Sequence, residues 1–188
     1  MKVLTLNGNY DGGRLQVGLI ADSAIIRTDR PMFVPRWADE FLGTPALAYR
    51  VSRLGKTIAS RFAMRYCDGV APALMVHARG LDASQSEPRW SALATTFDGA
   101  LLLGSWRGWT GEMLKATFTV DGEETAEVSD MAFASPFRSL VELLSRHCTL
   151  KTGDIIVSDA GAEPIRLVPG MTIEASLNQE PSLVSRIK

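Results

Sequence analysis

The segment that most constrains the fold is SLVELLSRHCTLKTGDIIVSDAG, residues 139–161, because it joins a helix pattern to a strand pattern through one short turn. Leu140, Leu143 and Leu144 repeat at helical spacing, and we expect Glu142, Ser145 and Arg146 to face outward. That spacing predicts an amphipathic helix over about residues 137–147.

A buried strand follows this helix. Residues 149–154 have the composition of a turn, and the β-branched run over residues 155–157 is unbroken by polar residues. Such a run is typical of a strand covered on both faces. The strand delivers residues 158–161 to its end, a position where folds often place a functional site.

Strand patterns dominate the rest of the chain. The Asp121-Gly122 pair is the strongest hairpin signal, between predicted strands over 114–120 and 124–128. A glycine-rich turn predicts an N-terminal hairpin of residues 1–6 and 14–20. Further predicted strands cover 23–28, 72–76, 101–103, 171–177 and 183–187.

The remaining segments give weaker patterns. Residues 54–64 have helical spacing and predict a helix. The prolines at 31, 35 and 45 predict irregular structure around them. The sequence thus predicts a β-rich α+β fold with few helices, divided into an N-terminal β-hairpin or strand extension (residues 1–30) and a single compact unit (residues 31–188).

Composition excludes several classes of protein. The chain has 188 residues, 46% hydrophobic content, 20 Lys+Arg against 21 Asp+Glu, and a net charge of −1. We therefore expect no nucleic-acid partner. No segment has the length of a membrane span or a signal peptide. Two cysteines are too few for a disulfide framework, so we expect a reduced cytoplasmic protein.

The region from Val120 onward resembles a known family. The run VDGEETAEVSDMAFASPFRSLVELLSRHCTLKTGDIIVSDAG, then LVPGMTIEASL and a final VSRI, is similar to the C-terminal half of the fumarylacetoacetate hydrolase family. Upstream, Ala78-Arg79 resembles that family's Ser-Ala-Arg-Asp segment, and Phe97-Asp98 with Leu103-Gly104 resembles its Phe-Asp-x-Phe-x-Pro-Leu-Gly segment. The resemblance covers about residues 31–188.

The resemblance carries implications for fold and chemistry. It implies mixed β-sheets wrapped into a β-roll-like core and a homodimer. It also implies acid–base chemistry on 2-oxo acids, assisted by Mg²⁺ or Mn²⁺ held by a Glu-x-Glu pair and a later Asp. A hard divalent ion of this kind prefers carboxylate oxygens and can polarise a 2-oxo carboxylate.

This sequence departs from the family at those ligand positions. In the family, the Glu-x-Glu pair precedes an Ile-Gly-Lys segment, and Leu54-Gly55-Lys56 resembles that segment here. No Asp or Glu occurs in this chain between Glu40 and Asp68, so the pair is absent. The third ligand position is Met75, a thioether that does not bind Mg²⁺. We therefore expect no cofactor, with Mg²⁺ or Mn²⁺ bound only if a different set of residues forms a site.

Some polar residues near the implied pocket remain candidates. Candidate catalytic residues are His77, Arg79, Asp98 and Asp159. Candidate ligand-binding residues are Ser158, Gly161 and Trp106. Three of them have a structural alternative: Asp98 can serve a turn, Arg79 can form a structural ion pair, and Trp106 can belong to the core or an interface. An ionised Asp159 would repel an anionic substrate unless a cation neutralised it.

Three hypotheses about function follow. The first is a degenerate family member that binds a small 2-oxo acid-like ligand or a partner without metal-dependent turnover. The second is an active enzyme with a rebuilt, metal-free site, acting on a 2-oxo acid as a C–C hydrolase, decarboxylase, hydratase or tautomerase. The third is a structural subunit that pairs with an intact paralogue.

Overall fold

The fold is built from two β-sheets and few helices, as the sequence predicts. A computed structural model describes residues 1–7, 16–80, 92–130, 137–159 and 161–188. The strands are β1 (Val3–Asn7), β2 (Gln16–Ile20), β3 (Ile25–Arg27), β4 (Glu40–Val51), β5 (Cys67–Arg79), β6 (Leu101–Leu103), β7 (Lys115–Val120), β8 (Glu123–Ser129), β9 (Ile155–Ser158), β10 (Ile165–Arg166), β11 (Thr172–Leu177) and β12 (Glu180–Arg186). The α-helices are α1 (Ala92–Thr95) and α2 (Phe137–His147), and 3₁₀ turns cover Asp22–Ala24 and Ser60–Tyr66.

The larger sheet is curled into a half-barrel. Its strand order is β2-β1-β9-β4-β5-β6-β3, with β10 added beside β4. A flat sheet of this order would separate β2 from β3 by roughly 29 Å. The chain from Ile20 to Ile25 spans at most about 17 Å, so the two edges must approach each other. Residues from both edges accordingly share one buried cluster, with Val3 and Ile20 in contact with the group that contains Leu101.

The outer face of the curled sheet packs on the second layer. The smaller sheet, ordered β12-β11-β7-β8, and helix α2 cover this face. Phe118 from β7 and Leu140 and Leu144 from α2 lie in the same buried cluster as Leu47 and Leu74 of the larger sheet. The predicted 137–147 helix is therefore confirmed, and its leucine stripe faces the core.

The predicted hairpin at Asp121-Gly122 is also confirmed. Strands β7 and β8 are antiparallel, and both turn residues have positive φ, 51° at Asp121 and 86° at Gly122. A two-residue turn with both residues in this region matches the right-handed twist of the flanking strands.

The irregular structure predicted around Pro45 is wrong. Residues Glu40–Val51 form one long strand in the centre of the sheet. On one side, β9 pairs with 47–50 and β10 pairs with Leu42 and Gly43. Pro45 lies between those two ladders, so its missing N–H group interrupts neither.

The helix predicted over residues 54–64 is replaced by a turn and a 3₁₀ helix. The backbone N–H groups of Gly55 and Thr57 donate to the carbonyl oxygens of Leu150 and Ser145, both at 2.9 Å. The Ile58 N–H donates to Ser145 Oγ at 2.8 Å. Residues 55–58 are therefore hydrogen-bonded to the region of Ser145 and Leu150, and a 3₁₀ helix begins only at Ser60.

The N-terminal residues pair with the rest of the chain. β1 is parallel to β9 and antiparallel to β2, and β3 is parallel to β6. The division at residue 30 stays a prediction. The glycine-rich turn of the predicted N-terminal hairpin lies outside the described residues, as do residues 81–91. Among the described helices, none is long and apolar enough to cross a membrane.

Candidate functional site

The inner wall of the half-barrel is lined by small and apolar side chains. In the β4–β5 ladder Met75 lies opposite Thr44, and Ala73 lies opposite Ala46. Because side chains alternate across a strand, these residues and Ala48 face the same side. The three alanines are fully buried, Met75 is 7% exposed and Thr44 8%. Small residues here allow the curled sheet to close tightly upon itself.

This wall does not fit the divalent metal that the resemblance implies. Met75 stands at the third ligand position. A Glu-x-Glu pair on β4 that faces the same side as Met75 would have to occupy two of the positions 44, 46, 48 and 50, which are Thr44, Ala46, Ala48 and Arg50. None of these is acidic. Across the described residues, no group of three or more His, Cys, Asp or Glu side chains is placed to hold a metal ion. The donor atoms that Mg²⁺ or Mn²⁺ prefers are missing from the wall.

One end of the half-barrel is polar and charged. His77 lies opposite Leu42 and Arg79 opposite Glu40, at the start of β4. The Glu40 carboxylate is shared by two guanidinium groups, Arg79 at 3.7 Å and Arg166 of β10 at 3.7 Å. Two guanidinium groups therefore share one carboxylate at this end, which we call the Glu40 end, and Asp39 lies next to it with its N–H donating to the Arg79 carbonyl at 3.0 Å.

Asp98 belongs to the same end. The Val76 N–H donates to the Ala100 carbonyl at 2.8 Å, so residues just before Ala100 lie beside the last residues of β5. Asp98 is exposed there and follows Phe97, whose ring packs against Phe41 at 5.3 Å. The structure thus brings His77, Arg79 and Asp98 to one end of the half-barrel.

Asp159 and Gly161 lie further along the sheet from the Glu40 end. Ser158 pairs with Leu47, so Asp159 lies level with Ala46, four residues along β4 from the partner of His77. That offset is about 13 Å. Asp159 is 6% exposed, and its Oδ1 accepts a hydrogen bond from the Gly161 N–H at 2.9 Å. The carboxylate therefore helps to hold the turn after β9.

Ser158 and Trp106 lie apart from the other candidates. Ser158 pairs with Leu6 and Leu47, two members of the outer core, and is therefore on the opposite face from Met75. Trp106 packs under Arg50, whose Cζ lies 5.3 Å from the ring centroid. Arg50 and Leu42 are eight residues apart on β4, or roughly 26 Å. Trp106 thus lies at the far end of the half-barrel from His77.

The sequence did not single out Glu40 or Arg166. The two are distant along the chain, and they meet only because β10 folds back onto β4 beside Leu42 and Gly43. A two-residue strand gives too short a pattern to predict, so no local signal could have found this contact.

Comparison with known proteins identifies the scaffold. A family model described as fumarylacetoacetate (FAA) hydrolase C-terminal matches residues 16–188. No curated protein matches the chain significantly.

Solved structures share the fold at low sequence identity. The 2-hydroxyhepta-2,4-diene-1,7-dioate isomerase of Mycobacterium marinum is 22% identical, with a TM-score of 0.87, over 99% of this chain and 73% of that one. The 5-carboxymethyl-2-hydroxymuconate delta-isomerase of Mycobacterium smegmatis is 22% identical, with a TM-score of 0.86, over 99% and 76%. A fumarylpyruvate hydrolase of Pseudomonas aeruginosa, in complex with Mn²⁺ and pyruvate, is 16% identical, with a TM-score of 0.87, over 100% and 89%.

Proposed function

This chain belongs to the fumarylacetoacetate hydrolase family, and we propose that it is a degenerate member without metal-dependent turnover. In this proposal it binds a small anion of the 2-oxo acid class at the Glu40 end of the half-barrel. The observation that carries the proposal is the apolar inner wall, where Met75, Ala46 and Ala48 lie on the face that would have to supply carboxylate ligands.

The two arginines at the Glu40 end support an anionic ligand. Arg79 and Arg166 share the single carboxylate of Glu40, and both guanidinium groups keep a large exposed fraction. Arginine can form two parallel hydrogen bonds to a carboxylate. Pyruvate is bound in the similar P. aeruginosa hydrolase, so pyruvate and oxaloacetate are suitable first ligands.

A direct test is calorimetric titration of chelator-treated protein with pyruvate and with oxaloacetate. The proposal predicts saturable binding that Arg79→Gln weakens at least tenfold. Arg186→Gln, which removes the same charge from an exposed position of β12, is the matched control and leaves affinity unchanged. Absence of binding, or equal loss in both variants, would contradict the anion site.

A second candidate function is metal-free catalysis on a 2-oxo acid. It is favoured by the placement of His77, Arg79 and Asp98 at one end, since histidine is the commonest general acid–base side chain and an arginine can orient a carboxylate. Oxaloacetate consumption in the presence of EDTA tests it. Activity that His77→Gln abolishes, with ligand binding retained, would place this function ahead of the first.

We also propose a homodimer in the cytoplasm. The edge strand β2 exposes Val17 at 53% and Leu19 at 57%, a pair that a second copy could cover. The cysteines Cys67 and Cys148 are free thiols, which fits a reducing compartment. Light scattering tests the assembly: a dimer mass for the natural protein and a monomer mass for Leu19→Lys would support it.

A further inference from the structure

A second charged surface lies away from the half-barrel. Between Glu40 and Asp68 the sequence has five cationic residues and no acidic one. The structure joins part of this segment to the end of α2 and the turn that follows it. The resulting basic face consists of Arg53, Lys56, Arg61, Arg65, Arg146 and Lys151, all of them exposed.

Backbone hydrogen bonds fix the two parts of the basic face against each other. Gly55 and Leu150 exchange both N–H···O bonds at 2.9 Å, and Thr57 donates to Ser145 at 2.9 Å. The Thr152 hydroxyl donates to the Ser52 carbonyl at 3.3 Å. Lys56, Arg146 and Lys151 are therefore held on one surface by main-chain contacts.

Little negative charge balances this surface. Glu142 pairs with Arg146 and accepts a hydrogen bond from the Ser60 N–H at 3.3 Å. None of the other five cations forms an ion pair with a described residue. The chain as a whole has a net charge of only −1, so the cations are concentrated here against a background that is otherwise acidic. A surface of one sign raises the local concentration of partners of opposite charge.

The apolar residues of this face indicate what kind of partner could bind it. Leu54 is 68% exposed between Arg53 and Lys56. Phe62 is 37% exposed, but Arg61 and Arg65 lie over its ring at 4.8 and 5.0 Å. Because both guanidinium groups lie against the Phe62 ring, Leu54 is the more accessible apolar side chain of this face.

We propose that the basic face docks an acidic polypeptide segment of a partner protein. Glutamate and aspartate side chains pair with Arg61, Arg65 and Arg53, and an apolar side chain of the segment packs on Leu54. This surface is separate from the Glu40 end, so the proposal stands or falls independently of ligand binding there.

The test is fluorescence anisotropy of the full chain with a fluorescein-labelled peptide of glutamates interspersed with leucines. We expect saturable binding, no binding of the lysine counterpart, and at least a tenfold loss of affinity between about 50 mM and about 300 mM NaCl. Arg61→Glu/Arg65→Glu abolishes binding. Arg27→Glu/Arg30→Glu, an equal charge change at exposed positions outside the face, reduces affinity less than threefold.

Three results would overturn the proposal. They are no binding of the acidic peptide, equal losses in the two double variants, or tighter binding of single-stranded DNA or of phosphatidylserine vesicles than of the peptide. Circular dichroism of both variants distinguishes a lost contact from a lost fold. If Arg61→Glu/Arg65→Glu does not fold, Lys56→Glu/Lys151→Glu replaces it, with the same expected loss.

Discussion

Met75 lies directly opposite Thr44 in the β4–β5 ladder, on the inner wall of the curled sheet, and is 7% exposed. Ala46 and Ala48 lie on the same face of the neighbouring strand and are fully buried. The resemblance implies carboxylates here to hold a hard cation, whereas this wall carries a thioether and two methyl groups. The fold is that of the family, and the inner surface of this chain is part of its hydrophobic core.

If the fold still provides the geometry of a metal site and lacks only the ligands, then acidic residues introduced on the inner wall should create such a site. The variant Ala46→Glu/Ala48→Glu/Met75→Asp places three carboxylates on a buried wall, and we expect destabilisation by several kcal/mol without metal. Mn²⁺ should reverse much of that loss, because metal binding contributes directly to folding free energy. Thermal denaturation with and without MnCl₂ measures both effects.

The double variant Ala46→Glu/Ala48→Glu, which keeps Met75, is the control for this experiment. It has the same strand substitutions but no third carboxylate, so its stabilisation by Mn²⁺ should be clearly smaller. Equal Mn²⁺ responses in the double and triple variants would show that position 75 does not share a site with β4.

Asp154 is expected to make stability depend on acidic pH. It is 2% exposed and accepts hydrogen bonds from the Lys2 ammonium at 2.6 Å, the Lys2 N–H at 2.8 Å and the Lys151 N–H at 2.8 Å. Burial raises the pKa of this carboxyl, but these hydrogen bonds outweigh burial, so its pKa lies below the ordinary value. The stabilisation is therefore complete above the unfolded-state pKa of about 3.9 and is lost as pH falls through the native pKa.

The measurement is urea denaturation of the natural protein and Asp154→Asn at several pH values. We expect Asp154→Asn to lower the free energy of unfolding by about 2–4 kcal/mol at pH 7. The difference between the two proteins should shrink below about pH 4, where the carboxyl becomes protonated in the unfolded chain. A difference that is independent of pH would contradict this assignment.

The two cysteines should differ sharply in reactivity. Burial raises the pKa of the Cys67 thiol to about 12, and its Sγ donates to the Gly69 carbonyl at 3.4 Å. Cys148 is only partly buried. Because the thiolate is the reactive form, a thiol reagent at pH 8 should titrate one cysteine rapidly and the second only after unfolding. In Cys148→Ser the rapid phase should disappear; a rapid phase that persists would contradict the burial of Cys67.

Tyr49 has a buried hydroxyl without a hydrogen-bond partner among the described residues. Burial raises the pKa of this phenol well above its ordinary value. Since Tyr49→Phe removes the unsatisfied group and keeps the ring stacked on Phe137 at 4.8 Å, it should leave stability unchanged or raise it by about 1 kcal/mol. Tyr49→Ala is the contrasting variant and should cost about 3–5 kcal/mol. A marked loss in Tyr49→Phe, measured by chemical denaturation, would indicate a partner for the hydroxyl.

Elements with a strong local pattern could be predicted from the sequence. Helix α2 and the Asp121-Gly122 hairpin have side-chain periodicity and turn chemistry that act over a few neighbouring residues. Strand β4 could not be predicted in this way, because Pro45 argues against a central strand unless the gap between β9 and β10 is known. The turn over residues 54–59 likewise depends on hydrogen bonds to Leu150 and Ser145.

The candidate site could be predicted from the sequence only in part, for the same reason. The substitution at Met75 is visible in the sequence, but its burial beside Ala46 follows from the register of β4 against β5. The contact of Glu40 with Arg166 depends on β10, which is too short to leave a pattern. Residues next to each other in the resemblance, such as Ser158 and Asp159, lie on opposite faces of the sheet.

The central claim, that this member has no metal-dependent site, is tested most directly by titrating chelator-treated protein with Mn²⁺ in a calorimeter, with oxaloacetate present and absent. We expect no saturable heat in either titration, because the inner wall has Met75, Ala46 and Ala48 in place of carboxylates. Saturable one-to-one binding at micromolar affinity would contradict it and would show that other residues form a metal site.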